Sequence, residues 1–176
     1  LYNCIYIKIK VLNYSKVENC IYYLLLIYII MKWNYADYIK WLDDGHIVNE
    51  NVLELDISNH DIQNIDYINN LPMLKVLHCC NNKLTHLDNI CLPSLQELRC
   101  SSNQITQIDN LCIPMLQELD CSGNRIIQLD NINLPMLQKL TFAFNKIIQI
   151  DNFNYPMLQE LDCRFNQITQ LDNLNL

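Results

Sequence analysis

Glycine is almost missing from the chain: Gly45 and Gly123 are the only two among 176 residues. A loop that cradles phosphate needs several glycines to bring backbone N–H groups onto the anion, so nucleotide-binding loops of that kind are excluded. Positive charge is also short, with 12 Lys and Arg against 19 Asp and Glu and a net charge of −7. That balance argues against nucleic acid as a partner, because the phosphate backbone is held chiefly by Lys and Arg. No His-Glu-x-x-His string occurs, and His46, His60, His78 and His86 follow no repeating spacing. No nucleophile–base–acid grouping stands out either, so neither catalysis, nor a resident metal, nor a cofactor is expected. Proline is scarce too, and its five positions are the most informative in the chain.

Pro72, Pro93, Pro114, Pro135 and Pro156 follow one another at intervals of 21 residues. The string around them recurs: "LPSLQELRCSSNQITQIDNLC" (92–112) is followed by "IPMLQELDCSGNRIIQLDNIN" (113–133). A fixed period of this length marks a stacked-repeat protein, in which no unit can bury its apolar residues alone. Six units are read, at 51–70, 71–91, 92–112, 113–133, 134–154 and 155–176. The first is degenerate, with Glu50 where the others have Pro and His60 where they have Asn. Cysteine, by contrast, is plentiful, at nine residues. Cys79, Cys100, Cys121 and Cys163 share one repeat position, filled by Phe142 in the fifth unit. A position open to both Cys and Phe is apolar and buried, so the thiols read as reduced and the protein as intracellular, most simply cytoplasmic. Cys91 and Cys112 share a second column, where one disulfide is the alternative.

Within a unit, Leu95, Leu98 and Cys100 run as apolar, two polar, apolar, one polar, apolar. The alternation reads as a short strand with one face inward, near 55–57, 76–79, 97–100, 118–121, 139–142 and 160–163. Asn103 marks the turn, and Ile105 and Ile108 return at a three-residue spacing that suits a loose or 3₁₀ turn. Stacked, the coils make a parallel sheet.

The string "LQELRCSSNQI" resembles the leucine-rich repeat, with Leu95, Leu98, Cys100, Asn103 and Ile105 on its signature positions. The following "ITQIDNL" looks like the convex side of the 21-residue short-coil subclass. This resemblance covers residues 51–176. It implies an α/β solenoid: a right-handed coil with a parallel β-sheet on the concave face and 3₁₀ or irregular turns on the convex face. It also implies a non-enzymatic protein–protein interaction scaffold. The richness in Asn, Ile, Lys and Tyr is similar to that of repeat proteins from AT-rich genomes, including giant viruses of amoebae.

Residues 31–50 follow another pattern. Asn34 can cap a helix, Asp37 sits in its first turn and Gly45 ends it. Tyr35, Tyr38, Trp41 and Leu42 then form one apolar stripe, which predicts a helical N-terminal cap over the first coil. Residues 1–30 leave three readings open: a packed extension, a signal or membrane anchor, or translated sequence upstream of a start at Met31. The apolar run "CIYYLLLIYIIM" (20–31) is shorter than the ~20 residues that span a bilayer. Glu18 and Asn19 abut that run and no small-residue cleavage site follows, so a membrane association is not favoured. At the other end, Leu174 and Leu176 finish in mid-pattern, which suggests a truncated product or a surface for self-association.

Two polar columns recur. Asn82, Asn103, Asn124, Asn145 and Asn166 can bond backbone groups of their own and the adjacent coil, a structural role. Asp88, Asp109, Asp130, Asp151 and Asp172 read as solvated or turn-bonded carboxylates. The remaining surface is the outward side of the strands, where residues flanking each inward Leu project onto the concave sheet. Glu97, Arg99, Glu118, Asp120, Lys139, Glu160 and Asp162 are the candidate partner-binding residues there, with Glu54, Asp56, Val76, His78 and Thr141 completing the face. The acidic strip predicts a protein partner of basic or mixed charge. Phe144 and Phe165 share a non-core position one coil apart and form a candidate aromatic rim. The alternative reading is a membrane-tethered or secreted leucine-rich repeat protein directed by residues 1–30.

Overall fold

The computed structural model describes residues 32–87, 89–108, 111–129, 132–150 and 155–169. The readings made for residues 1–30, for the recurrent Asp column and for Leu174 and Leu176 lie outside them.

Each coil from the second onward begins with a proline turn. The carbonyl of Leu71 accepts the N–H of Leu74 at 3.0 Å, and that of Leu92 accepts the N–H of Leu95 at 3.0 Å. Pro72 and Pro93 therefore stand second in a four-residue turn, where their fixed φ is already correct and no N–H is needed. The same turn recurs from Ile113 to Leu116, from Leu134 to Leu137 and from Tyr155 to Leu158. Two residues later the chain extends into a strand of three residues. These strands are β2 (Glu54–Asp56), β3 (Val76–His78), β4 (Glu97–Arg99), β5 (Glu118–Asp120), β6 (Lys139–Thr141) and β7 (Glu160–Asp162). They pair in parallel and in chain order, with Leu55, Leu77, Leu98, Leu119, Leu140 and Leu161 in one register. The sequence placed them within a residue or so of these bounds.

A seventh strand was not foreseen. β1 (Lys32–Asn34) pairs with β2 through Trp33 and Leu55, and it runs directly into α1 (Tyr35–Asp43). Lys-Trp-Asn alternates polar, apolar, polar as the other strands do, but it lies outside the repeat frame and three residues alone do not announce a strand; the exposed backbone edge of β2 supplies its partner. Asn34 ends the strand and caps the helix: its side-chain oxygen accepts the N–H groups of Ala36 and Asp37, and the Asp37 carboxylate accepts the Asn34 N–H. Tyr38 and Trp41 bury themselves in the same core as the coils, and the indole N–H of Trp41 donates to Ile47 O at 2.8 Å. His60, the odd residue of the Asn column, stacks on Tyr35 with ring centroids 3.8 Å apart.

The convex side is irregular except at Ile68–Asn70, the only 3₁₀ turn among the described residues. Its cause is an extra residue. Leu55 and Leu77 are partners 22 residues apart, whereas Leu77 and Leu98 are 21 apart. The insertion lies between Ile68 and Leu71, where one tight turn takes it up without disturbing the sheet.

Leu98 has no solvent exposure and lies in the middle of the sheet. A carboxylate there has no partner, so Leu98→Asp is expected to abolish the cooperative thermal transition followed by circular dichroism. A melting curve like that of the wild type would refute the register.

Candidate partner-binding face

The face is held in shape from beneath by the asparagine column. Asn124 donates to the carbonyls of Cys100, Cys121 and Ser122 at 3.0–3.2 Å and accepts the N–H of Ile105 at 3.0 Å. Asn103 does the same one coil earlier, with Cys79, Cys100 and Ser101 as acceptors and Leu84 as donor. Asn82, Asn145 and Asn166 repeat the pattern. Each amide thus spends its two donor hydrogens and its acceptor on joining its own coil to the preceding one. The cysteine column lies alongside. The Cys79 thiol donates to Arg99 O at 3.4 Å, Cys100 to Asp120 O at 3.3 Å and Cys121 to Thr141 O at 3.5 Å. Burial pushes all three thiols well up, so they stay protonated and unreactive.

Strand register then arranges the outward residues in two columns. Glu54, Val76, Glu97, Glu118, Lys139 and Glu160 form one; Asp56, His78, Arg99, Asp120, Thr141 and Asp162 form the other. All seven residues proposed for partner binding stand on this face. They do not make the continuous acidic strip that the sequence suggested. Glu97 is taken by both His78, at 2.9 Å, and Arg99, at 2.7 Å. Glu160 pairs with Lys139 at 3.0 Å and Asp162 with Arg164 at 2.8 Å. The Arg164 guanidinium holds the Asp162 carboxyl down at about 2. Lys32, from the unforeseen strand, pairs with Glu54.

Glu118 and Asp120 are different. Among the described residues the nearest cation to Glu118 is Arg99, at 3.9 Å, and Asp120 has no ion pair. Together with Arg99, Leu119, Lys139 and Thr141 they line a shallow hollow of about 260 Å³ at the centre of the sheet. Asp120 also has a local duty: its Oδ1 accepts the N–H of Ser122 at 2.9 Å. Asp56 and Asp162 do the same for Ser58 and Arg164. These aspartates therefore close the strand end as well as charging the face. The signal for it was the Asp two residues before the turn, visible in three units.

Phe144 and Phe165 stack at 4.3 Å with their planes 13° apart, and both are more than half exposed. Their backbone is left-handed, with φ of +56° and +57°. The same position elsewhere is Asn59, Asn81, Ser102 and Gly123, all at positive φ. There the chain leaves the strand, and from Asn59 to Phe144 the N–H still reaches the next coil, as in Phe144 to Arg164 O at 3.0 Å. Asn and Gly adopt this conformation readily, whereas a bulky side chain is strained by it. Local conformation is therefore not the reason for the phenylalanines.

A parallel sheet with one strand per coil, a proline turn before it and an asparagine ladder behind it defines a leucine-rich repeat solenoid. In keeping with that, residues 72–113 match the family described as leucine-rich repeats in two copies. Among solved structures, the chain is similar to the functional domain of InlJ from Listeria monocytogenes, which includes a cysteine ladder. The TM-score is 0.63 at 30% identity, over 69% of this chain and 27% of that one. It is also similar to YopM from Yersinia enterocolitica WA-314, with a TM-score of 0.57 at 25% identity, over 68% of this chain and 30% of that one. The chain thus spans less than a third of the length of either solved chain. No curated protein matches it significantly. Repeat arrays of this class serve in general as protein-interaction scaffolds. No helix among the described residues is long and apolar enough to cross a membrane.

Removing the Asn124 amide strands carbonyls of two coils and the Ile105 N–H. Asn124→Ala is expected to lower stability by about 1–3 kcal/mol in denaturant titration. Arg125→Ala, next to it but exposed, is expected to stay within about 0.5 kcal/mol. Equal losses would mean that the amide bonds carry no net stabilisation.

Proposed function

We propose that the array is a non-enzymatic scaffold that binds a protein partner of basic or mixed charge on its concave face, inside the cell. The observation that carries this reading is the central hollow, where among the described residues Glu118 and Asp120 have no cation closer than 3.9 Å, while the acids around them are taken by Arg99, Lys139 and Arg164. An incoming Lys or Arg meets two carboxylates there without first displacing a close internal partner. The neighbouring Arg99 and Lys139 offer acceptor-seeking groups to the same ligand, which is why mixed charge suits the site. Phe144 and Phe165 extend the surface along one rim. Two stacked rings kept in water at the cost of backbone strain are the form a binding anchor takes.

Charge complementarity acts mainly on encounter, so its removal is read best in association rates. In Glu118→Lys/Asp120→Asn, the Asn retains an oxygen for the Ser122 N–H and the strand end stays intact. Partners captured on the wild-type chain and identified by mass spectrometry are expected to associate with the variant at least about tenfold more slowly, an effect that shrinks at high salt. Glu50→Lys/Asp43→Asn changes net charge equally on exposed residues away from the hollow and is expected to leave the rate unchanged. If both variants slow association alike, the concave site is wrong. Phe144→Ala/Phe165→Ala is expected to raise the dissociation rate while leaving the salt dependence of association as it was.

A further inference from the structure

On the far side of each proline turn from the Phe pair, Cys91 and Cys112 occupy equivalent positions of adjacent coils, and both are exposed. They are partners in a parallel β-bridge that lies outside the main sheet. Bridge partners of this kind stand about 4.8 Å apart at the backbone and direct their side chains to the same face. That separation falls inside the range a disulfide requires, roughly 4.4–6.8 Å between Cα atoms. The neighbouring Cys112 thiol pushes that of Cys91 up from its ordinary range.

The backbone at both residues is pinned. The N–H of Cys91 donates to Asn69 Oδ1 at 2.8 Å, and the Asn69 amide in turn donates to Asn89 O at 3.0 Å. The N–H of Cys112 donates to Ile90 O at 2.8 Å, and its carbonyl accepts the N–H of Leu92 at 3.1 Å. Asn69 and Asn133 hold this position in the flanking coils, so the sulfur pair is confined to one junction. The other cysteines of the array do not compete. Cys79, Cys100 and Cys121 are fully buried beneath the sheet, Cys80 is half-buried and bonded to the Ser101 hydroxyl at 3.2 Å, and Cys163, partly buried, lies in the sixth coil, far from this junction.

We propose that Cys91 and Cys112 are a dithiol site that low-molecular-weight disulfides, such as glutathione disulfide, convert into an intramolecular disulfide between the second and third coils. One of the two, as thiolate, attacks the small disulfide, forming a mixed disulfide and releasing one glutathione thiol. The other, deprotonated in turn, attacks the protein sulfur of that mixed disulfide and displaces the second glutathione thiol. The protein loses two electrons and two protons, and the small disulfide gains them. Because both sulfurs are already positioned, the second step is intramolecular and outruns capture of a second glutathione. In a reducing compartment the pair rests as the dithiol. Closure staples two neighbouring coils at a point where only single backbone bonds otherwise join them.

The test uses the full chain, reduced and then exposed to glutathione disulfide, alkylated, digested with trypsin and mapped by mass spectrometry. Peptides 84–99 and 100–125 are expected to be joined, with fragment ions placing the bond at Cys112 and not at Cys100 or Cys121. That product is expected to exceed any other cross-link by more than about tenfold. Cys91→Ser is expected to carry glutathione on Cys112 and to form no link. The oxidised wild type is expected to melt at a higher temperature than the reduced form, and Cys91→Ser to show no such difference. Separate glutathione adducts on Cys91 and Cys112 in the wild type would overturn the proposal, as would a link through a core cysteine. Cys100 and Cys121 left to the alkylating agent only after denaturation mark the reacted chain as folded.

Discussion

Everything in this structure depends on hydrogen bonds that run between coils. A strand of three residues is too short to hold a partner alone, and a three-residue ladder buries little. The asparagine column turns that weak contact into a continuous one. Each amide binds carbonyls in two coils and an N–H of the preceding coil, so the backbone groups freed by the turn after the strand are satisfied in the interior. A buried backbone group without a partner costs about 1–3 kcal/mol, so the turn could not be buried without that side chain. The position demands both donors and acceptor in one flat group, which is why Asn recurs and neither Asp nor Leu replaces it. Where His60 stands instead, no Asn-like ladder is needed beneath it: its N–H goes to Asn82, and its ring stacks on Tyr35 of the helix.

That constraint also explains which features could be read in the sequence. Inward Leu, inward Cys and the Asn column recur with one period and one chemistry, so Leu98, Cys100 and Asn103 declared their places. The left-handed position just before the Asn did not, because Asn59, Asn81, Ser102, Gly123, Phe144 and Phe165 share a backbone conformation and no side-chain property. Asn59, Asn81 and Gly123 suit that conformation, but Ser102, Phe144 and Phe165 in the same column hide the pattern. The extra residue at Ile68–Asn70 was hidden for a similar reason: an insertion in an irregular turn alters neither face of the sheet. β1 belongs to no repeat, and only the edge of β2 makes it a strand. On the candidate face, the positions were legible from alternation, but the pairing was not. Whether Arg99 meets Glu97 or Glu118 depends on side-chain reach across the register, and that is fixed only once coils are stacked.

The distribution of charge follows from the same register. Stacking places Glu118 directly beside Glu97 and Lys139, so a like charge and an opposite one flank it within one strand spacing. Like charges in adjacent strands repel, and the array relieves this by inserting Arg99 and Lys139 among the acids. The net charge of −7 is therefore not a measure of the concave face, where Glu54, Glu97, Glu160 and Asp162 each have a cation within 3.0 Å. Such exposed pairs contribute little stability each, about 0.2–1 kcal/mol, so they can be exchanged for a partner's charges at small cost. A face built this way recognises by rearranging pairs, with Glu118 and Asp120 as the point where rearrangement is not required.

Burial shows how far the influence of one coil extends. Leu137, Leu140 and Phe142 are buried, while Leu158, Leu161 and Cys163, their equivalents one coil later, are only partly so. The difference cannot lie in their own unit, whose sequence nearly repeats the earlier ones; it lies in the described neighbour that follows the first set and not the second. Each core position is thus completed by the next coil, and stability is a sum of local interfaces rather than the property of one shared centre. Local control is the consequence. A covalent link between Cys91 and Cys112 acts on the interface between the second and third coils, two coils before the stacked Phe144 and Phe165, and reaches them only through the intervening coil. The same geometry that lets a short repeat grow into a long surface also lets neighbouring parts of that surface respond separately.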